Sequence, residues 1–240
     1  MNDLNKVQIS GFSITPYPNI DTAVQLILEM HLDKGHMAIA VNPEKIIHAM
    51  DNSVLNSILH HSDILYADGI GIVKAMSKKT GTLHHRIPGC ELWESLMCET
   101  GKLKLPVFII GSSPSVNLQT CKKLRSVYGV NIIGYQHGFF DDEDDLINRI
   151  IVSEAKIVTV ALGSPKQEIF INHCREAGIK AFFMGVGGTY DVFTGNTQRA
   201  PKIFRKLGLE WCFRLISQPS RIFRQKRLLI FFMLYIRNKL

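Results

Sequence analysis

The amino-acid sequence predicts an α/β fold: a Rossmann-like three-layer sandwich with a mostly parallel sheet, followed by a basic helical C-terminal appendage. Short apolar runs alternate with helical patterns of about ten residues, which is typical of βαβ units. Each run stops at small or polar residues that suit a helix start. The chain has 240 residues, of which 46% are hydrophobic, so it can bury the core of one domain with a short appendage.

The predicted strands, in chain order, are residues 37–41, 63–67, 105–111, 156–163 and 180–185. The first strand runs into Asn42-Pro43, and the fourth runs into Ser164-Pro165. Asn and Ser cap helices well, and Pro is favoured at the first helical position. Ser164 with Gln167 three residues later also matches a capping box. A helix is therefore expected to follow directly after each of these strands.

The charge divides the chain into two parts near residue 198. Residues 199–240 have eleven Lys and Arg and one acid, whereas residues 1–198 have seventeen bases and twenty acids. We therefore predict an α/β domain over 1–198 and a basic appendage over 199–240. Such asymmetry indicates an anionic partner for the appendage, either a membrane surface or a nucleic acid.

The ends of the predicted strands locate a functional site. Ligands of parallel sheets bind beyond the carboxyl ends of the strands, where helix N-termini present free N–H groups. The side chains and glycines expected along this rim are Asn42, Asp68, Ser112, Ser164, Gln167 and the glycines within 185–188. Several helix N-termini on one rim favour an anionic ligand such as a phosphate or a diphosphate.

Three features of the rim have two interpretations each. Asp68 is either the N-cap of a helix or a general base toward a hydroxyl group. The glycines at 185–188 form either a tight turn or a surface that a ligand approaches closely. Asp191 either accepts hydrogen bonds from a ribose or caps the next turn. A dinucleotide fingerprint is not expected, because Tyr190 stands where its third glycine would be, and no cofactor is predicted.

No metal site is predicted. The acidic run at 141–145 contains a D-x-D spacing, but it precedes a helical pattern, where acidic residues favour the helix dipole and stay solvated. The histidine pairs at 60–61 and 84–85 lack metal-ligand spacing.

The five cysteines are scattered with no C-x-x-C pair, and the N-terminus has no apolar segment typical of a signal peptide. We therefore expect a reducing, cytoplasmic location.

The apolar run at 228–236 is nine residues long, far short of the roughly 20 needed to span a bilayer. Its basic flanks favour an interfacial helix on anionic lipid. A helix packed on the body is the alternative, and nucleic-acid binding is not expected. The basic residues assigned to the membrane or to a lipid diphosphate are Arg214, Arg221, Arg224, Lys226 and Arg227.

Seven motifs carry a resemblance to a known family: NPEK (42–45), YADG (66–69), RIPG (86–89), GSPKQE (163–168), GVGGTYD (185–191), RAPK (199–202) and LEW (209–211). Through these motifs, and from about Val7 to the C-terminus, the chain resembles the bacterial WecG/TagA/CpsF glycosyltransferase family. Its second half is most similar to the enteric branch, which transfers N-acetyl-D-mannosaminuronic acid in enterobacterial common antigen synthesis. Pro43 departs from that branch, which often has a small non-proline residue there.

The resemblance implies an inverting enzyme without a metal or cofactor, bound peripherally to the inner face of the cytoplasmic membrane. It implies transfer from a UDP-sugar donor to undecaprenyl-diphosphate-linked N-acetylglucosamine, with Asp68 as the catalytic base. It also implies that Asn42 and Gln167 help to hold the sugars. The full set expected to bind substrate is Asn42, Gly69, Arg86, Gly111, Ser112, Gly163, Ser164, Lys166, Gln167, Gly185, Gly187, Gly188 and Asp191.

Two donor sugars are compatible with the sequence. A uronate donor needs a cation near its carboxylate, for which Arg86 and Lys166 are candidates, but uncharged UDP-N-acetylmannosamine, as in wall teichoic acid synthesis, is the alternative donor. A non-catalytic nucleotide-binding module that docks on membranes is a more remote alternative. Apolar residues near Leu207 and Trp211 would suit a homo-oligomer.

Overall fold

The computed structural model describes residues 4–198, 200–201, 204, 213 and 222–240. Its centre is a six-stranded, fully parallel sheet in the order β4-β3-β8-β7-β5-β6, preceded by an antiparallel β1-β2 hairpin. The strands are β1 (Val7–Ile9), β2 (Phe12–Ile14), β3 (Met37–Val41), β4 (Ile64–Ala67), β5 (Pro106–Gly111), β6 (Asn131–Gln136), β7 (Ile157–Ala161) and β8 (Phe182–Gly185).

Helices cover both faces of this sheet, which confirms the predicted α/β sandwich. The helices are α1 (Ile20–Met30), α2 (Pro43–Asp51), α3 (Ser53–His60), α4 (Ile70–Thr80), α5 (Gly89–Leu103), α6 (Pro114–Tyr128), α7 (Glu143–Ser153), α8 (Lys166–Glu176), α9 (Thr189–Thr194) and α10 (Ile222–Ile236). One apolar cluster joins the sheet to α2, α3, α4, α7, α8 and α10. A second cluster joins the opposite face to α1, α5, α6 and α9.

The five predicted strands are all present, with ends within two residues of the prediction. All five are almost wholly buried because helices cover both of their faces, so they appear in the sequence as nearly continuous apolar runs. The prediction missed β6, an edge strand with partly exposed residues, and the short hairpin strands β1 and β2.

The predicted helix start is confirmed at Asn42, whose Oδ1 accepts a hydrogen bond from the Lys45 N–H at 2.9 Å, with Pro43 in the first turn of α2. The capping box at Ser164 is wrong. The N-cap of α8 is Pro165, and no side chain of the described residues caps it. Gln167 instead bonds to the loop after β8, because its side chain is buried beneath that loop.

Helix α10 is longer than the apolar run alone, and it packs against α2 and the core. Phe231 is buried, and the Lys78 Nζ donates a hydrogen bond to the Tyr235 carbonyl at 3.2 Å. The opposite face exposes apolar side chains at positions of one helical stripe: Leu229, Phe232, Met233 and Ile236. Of the helices that the structure describes, none has the length and apolar character required to cross a membrane.

Parts of the predicted appendage fall outside this description. Arg214 and Arg221 lie outside the described residues, as do the side chain of Arg224 and the pair Leu207 and Trp211. Lys226 is exposed on α10, and the Arg227 guanidinium lies 3.9 Å from the Glu44 carboxylate on α2. Arg227 thus joins the basic end of α10 to the helix that follows β3.

Candidate active site

A cavity of about 450 Å³ opens at the carboxyl edge of the sheet, beyond the ends of β3, β4, β7 and β8. These four strands are neighbours in the sheet although they come from distant parts of the chain. The expected site residues that line the cavity are Asn42, Asp68, Arg86, Ser164, Gln167, Gly185, Gly187, Gly188 and Asp191. The structure therefore brings nine of the expected residues to one concave surface.

Five other expected residues lie beside the cavity and do not line it: Gly69, Gly111, Ser112, Gly163 and Lys166. The Lys166 side chain is exposed. A Cβ atom at Gly69 would lie 2.7 Å from Pro43 Cδ, so the glycine allows the Pro43 ring to pack against the start of α4. Pro43 thus has a packing role in addition to its effect on the helix start.

Asp68 follows β4 and is held by backbone and side-chain contacts. Its N–H donates to the Val41 carbonyl at 3.0 Å, and its Oδ1 lies 3.0 Å from the Arg86 Nη2. The Arg86 Nε also donates to the Asp68 carbonyl. Helix α4 has Gly69 as its N-cap, so the interpretation of Asp68 as an N-cap is wrong. The carboxylate is 27% exposed and faces the cavity, where a bound group can reach it.

A buried ion pair lies beneath the cavity. The Lys45 Nζ donates to Glu168 Oε1 at 2.6 Å, and both side chains are almost fully buried. Burial raises the pKa of the Glu168 carboxyl, but the Lys45 charge and hydrogen bonds from Lys45, Gln167 and Ser164 outweigh it, so the pKa is lowered. The pair joins the NPEK motif after β3 to the GSPKQE motif after β7.

Gln167 extends this pair to the glycine turn. Its Nε2 donates to Glu168 Oε1 at 3.1 Å, and its Oε1 accepts from the Gly187 N–H at 2.9 Å. A Cβ atom at Gly185 would lie 2.6 Å from the Gln167 Nε2, so a side chain there would displace the amide. Loops from three strands are thereby tied together by one chain of hydrogen bonds.

The glycine turn is both tight and open. Gly187 has a φ of +53°, a left-handed conformation that favours glycine. Around a Cβ atom placed at Gly187 or Gly188, no atom of the described residues lies within 4 Å. Both glycines line the cavity. The turn therefore presents backbone to open space, as expected for close approach of a ligand.

Asp191 lies in the first turn of α9, whose N-cap is Gly188, so Asp191 does not cap that helix. Its Oδ2 accepts a hydrogen bond from the Ser112 Oγ at 3.2 Å. Gly111 has a φ of +108°, and a Cβ atom there would lie 2.4 Å from the Ala161 carbonyl oxygen. Ser112 thus holds the Asp191 carboxylate, and Asp191 itself lines the cavity.

The model of the WecG/TagA/CpsF glycosyl transferase family matches residues 7–240. The chain belongs to this family. Membership makes it a glycosyltransferase, with a nucleotide-sugar donor and a lipid-linked acceptor. The cavity lies at the carboxyl edge of the sheet, the edge at which open parallel sheets generally bind their ligands.

Several residues of the glycosyltransferase cavity were missed by sequence reasoning: Ala40, Lys45, Tyr66, Gly89, Cys90, Val186, Thr189, Val192, Thr197, Gln198 and Phe213. Gly89 carried a usable signal, since it follows Pro88 and begins α5. Tyr66 begins the YADG motif, but its hydroxyl gave no separate signal, because the residue also reads as one more apolar member of a buried strand. Phe213 shows that the C-terminal region contributes to the wall of the cavity.

The acidic run at 141–145 begins helix α7 of the glycosyltransferase. Asp142 is its N-cap, and its Oδ1 accepts from the Asp145 N–H at 2.8 Å. Across residues 4–198 and the described C-terminal segments, no three His, Cys, Asp or Glu side chains are grouped as metal ligands.

Proposed function

We propose that this glycosyltransferase transfers N-acetyl-D-mannosaminuronic acid from its UDP donor to undecaprenyl-diphosphate-linked N-acetylglucosamine, with inversion at the anomeric carbon, in enterobacterial common antigen synthesis. Family membership supports the reaction class and the classes of substrate. The resemblance of the second half of the chain to the enteric branch supports the uronic acid donor.

The contacts of Asp68 with Arg86 support its role as the general base of the transfer. The Arg86 guanidinium holds one carboxylate oxygen and the main-chain carbonyl, which orients the side chain toward the cavity. A positioned carboxylate acts as general base toward a hydroxyl group. The acceptor hydroxyl gives its proton to Asp68 as its oxygen bonds to the anomeric carbon. The bond from that carbon to the phosphate oxygen breaks, and its electron pair leaves with UDP.

The surroundings of the cavity suit the leaving diphosphate. The N-terminal ends of α2, α4, α5 and α8 lie at the edge of the sheet on which the cavity opens. Helix N-termini favour phosphate groups through their free N–H groups and the helix dipole. We assign the open backbone at Gly187 and Gly188 to the donor diphosphate, since a phosphate can approach it closely.

Arg86 is the better candidate for the cation near a uronate. Of the two candidates, Arg86 lines the cavity and Lys166 does not. Its guanidinium already contacts Asp68, so a donor carboxylate at Arg86 would lie next to the reacting groups. The donor is tested by measuring UDP release from UDP-N-acetylmannosaminuronic acid and from UDP-N-acetylmannosamine, each with a lipid-diphosphate N-acetylglucosamine analogue. Faster release from the uncharged donor would contradict the proposed substrate.

We assign the lipid side of the reaction to α10. The acceptor's isoprenoid chain lies in the bilayer, so the enzyme must work at a membrane surface. The exposed stripe of Leu229, Phe232, Met233 and Ile236, next to exposed Lys226 and Arg237, suits reversible binding to anionic lipid.

The base is tested by Asp68→Asn, which keeps the side-chain volume and removes the proton acceptor. We expect unchanged UDP affinity by calorimetry and a fall in kcat of about 10²–10⁴-fold. The matched control is Asp51→Asn, an exposed residue at the end of α2, which should leave kcat unchanged. Near wild-type kcat in Asp68→Asn would refute the role of Asp68 as the base.

A further inference from the structure

Tyr66 is a fully buried residue of β4 whose hydroxyl group stands out among the described residues. Its exposed fraction is 0%, and its hydroxyl oxygen has no hydrogen-bond partner in the part of the chain that the structure describes. Burying a polar group without a partner is costly, so the Tyr66 hydroxyl is a candidate to bind a group from outside the fold. Tyr66 is one of the residues that line the cavity, so a molecule bound there is a candidate to supply the missing partner.

Tyr190 provides an internal comparison. It is also 0% exposed, but its hydroxyl donates to the Thr159 carbonyl at 2.9 Å and lies 2.6 Å from the Thr159 Oγ1. Tyr190 does not line the cavity. The fold thus provides partners for the Tyr190 hydroxyl, whereas the Tyr66 hydroxyl has none among the described residues.

The Tyr66 hydroxyl and Asp68 face the same small space. A Cβ atom at Gly89 would lie 3.1 Å from the Tyr66 hydroxyl oxygen and 3.6 Å from Asp68 Oδ2. Because residue 89 is glycine, no side chain fills this space. Gly89 is the first residue of α5, so the N-terminus of a fifteen-residue helix also borders it.

The chemistry of these two groups defines what fits between them. Burial, together with the nearby negative charge of Asp68, raises the pKa of the Tyr66 hydroxyl well above 10, so the hydroxyl stays protonated and can donate. The Asp68 carboxylate, paired with Arg86, only accepts. A group that contacts both must accept one hydrogen bond and donate another. A hydroxyl does both, whereas a carboxylate or phosphate oxygen cannot donate and an ammonium cannot accept.

We propose that the Tyr66 hydroxyl donates a hydrogen bond to the acceptor's attacking sugar hydroxyl and so positions it against Asp68. The inference rests on the proposed function, in which that hydroxyl transfers its proton to Asp68. Tyr66 keeps its own proton throughout. A hydroxyl bound at two points has a defined orientation, and this orientation lowers the entropic part of the barrier.

The test is Tyr66→Phe, which removes one oxygen and leaves the ring packing intact. We expect an unchanged or higher Tm, because an unpartnered buried hydroxyl is lost and no described protein hydrogen bond breaks. In the same variant, kcat/KM for a lipid-diphosphate N-acetylglucosamine analogue should fall about tenfold, as expected for one lost hydrogen bond. The Kd of this acceptor analogue, measured with UDP present, should rise for the same reason. The Kd of UDP alone should not change.

Thr120→Val is the matched control. The Thr120 Oγ1 is likewise buried without a partner among the described residues, but it lies on α6 and does not line the cavity. It should share the effect on Tm and leave kcat/KM and both Kd values at the wild-type level. Gly89→Ala, whose methyl group would fill the space, should weaken binding of the acceptor analogue and leave UDP binding unchanged.

Each outcome bears on the inference. Wild-type kcat/KM and acceptor Kd in Tyr66→Phe would overturn it, and so would an equal loss of UDP affinity, which would place Tyr66 at the donor. A fall in Tm as large as that of Tyr190→Phe would indicate a structural role instead. If the wild-type enzyme binds the acceptor analogue without turnover, the proposed function fails, and the ratio of acceptor Kd values still decides the role of Tyr66.

Discussion

Replacing Lys45 by Met should destabilise the protein strongly, because it leaves the Glu168 carboxylate buried without its counter-ion. The Nζ and Oε1 atoms are 2.6 Å apart, a separation that corresponds to about 6 kcal/mol of attraction at an effective dielectric constant near 20. Removal of one partner from such a buried pair typically costs about 3–5 kcal/mol of unfolding free energy. We expect a loss of that size at pH 7.5, measured by urea unfolding.

The loss should depend on pH, with a sign that follows from the pKa of Glu168. In the wild type this pKa is lowered, so the pair stabilises the protein above the ordinary pKa of a glutamate and the contribution disappears as pH falls through the folded value. In Lys45→Met, burial without the counter-ion raises the pKa instead. The difference between the two proteins should therefore be largest near neutral pH and shrink toward acidic pH.

The double variant Lys45→Met/Glu168→Gln is the control. It removes both charges and retains a hydrogen-bonding amide for Gln167, so it should recover most of the lost stability. UDP affinity should fall in Lys45→Met and recover in the double variant, because the pair holds Gln167 and, through it, the Gly187 turn. A loss below about 1 kcal/mol, or one that does not change between pH 5 and 8, would refute this reasoning.

Three further predictions concern other parts of the molecule. Gly188→Val places a side chain in the open space of the glycine turn, so calorimetry should show UDP binding weakened at least tenfold with Tm nearly unchanged; unchanged binding would make the turn purely structural. Burial, and secondly the nearby His36 charge, lowers the pKa of His31 to about 4. The folded protein therefore favours neutral His31, and this contribution to the free energy of unfolding is complete above about pH 6.5 and lost as pH falls toward 4. Thermal melts of wild type and His31→Leu should converge over that window, and parallel curves would contradict the assignment. Phe232→Gln/Met233→Gln should reduce sedimentation with anionic liposomes about tenfold, whereas Val152→Gln, at an even more exposed apolar site on α7, should not. Equal sedimentation of the wild type and both variants would exclude the α10 face as the lipid contact.

The core of the fold could be predicted because its strands are buried on both faces. Residues 37–41 and 157–161 are nearly continuous apolar runs for that reason, and the polar residues that follow them mark the helix starts. Strand β6 escaped prediction because it lies at the edge of the sheet, where exposed Tyr135 and half-buried Gly134 interrupt the apolar pattern. At an edge, the side chains do not have to be apolar on both faces.

The candidate site was predictable as a rim but not as a set of contacts. Asn42, Asp68 and Gln167 each follow a strand, and parallel strands all end at the same edge, so their meeting was expected. That Ser112 lies behind Asp191 depends on the lateral position of β5, which no local pattern encodes. The predicted capping box at Ser164 failed for a similar reason, because Gln167 is held by a hydrogen bond from the Gly187 N–H in the loop after β8.

The sequence by itself determined the α/β class, the polar strand ends, the failed dinucleotide fingerprint and the basic C-terminus, because these follow from local composition and spacing. Only the tertiary structure brings Asp68 into contact with Arg86, and Lys45 into contact with Glu168, 123 residues away. Only the tertiary structure places the Tyr66 hydroxyl beside the space that Gly89 leaves open. The physical reason is the strand order β4-β3-β8-β7, which makes neighbours of segments that the chain separates widely. Charge neutralisation and hydrogen bonding act over a few ångströms, so only the assembled sheet determines which groups meet.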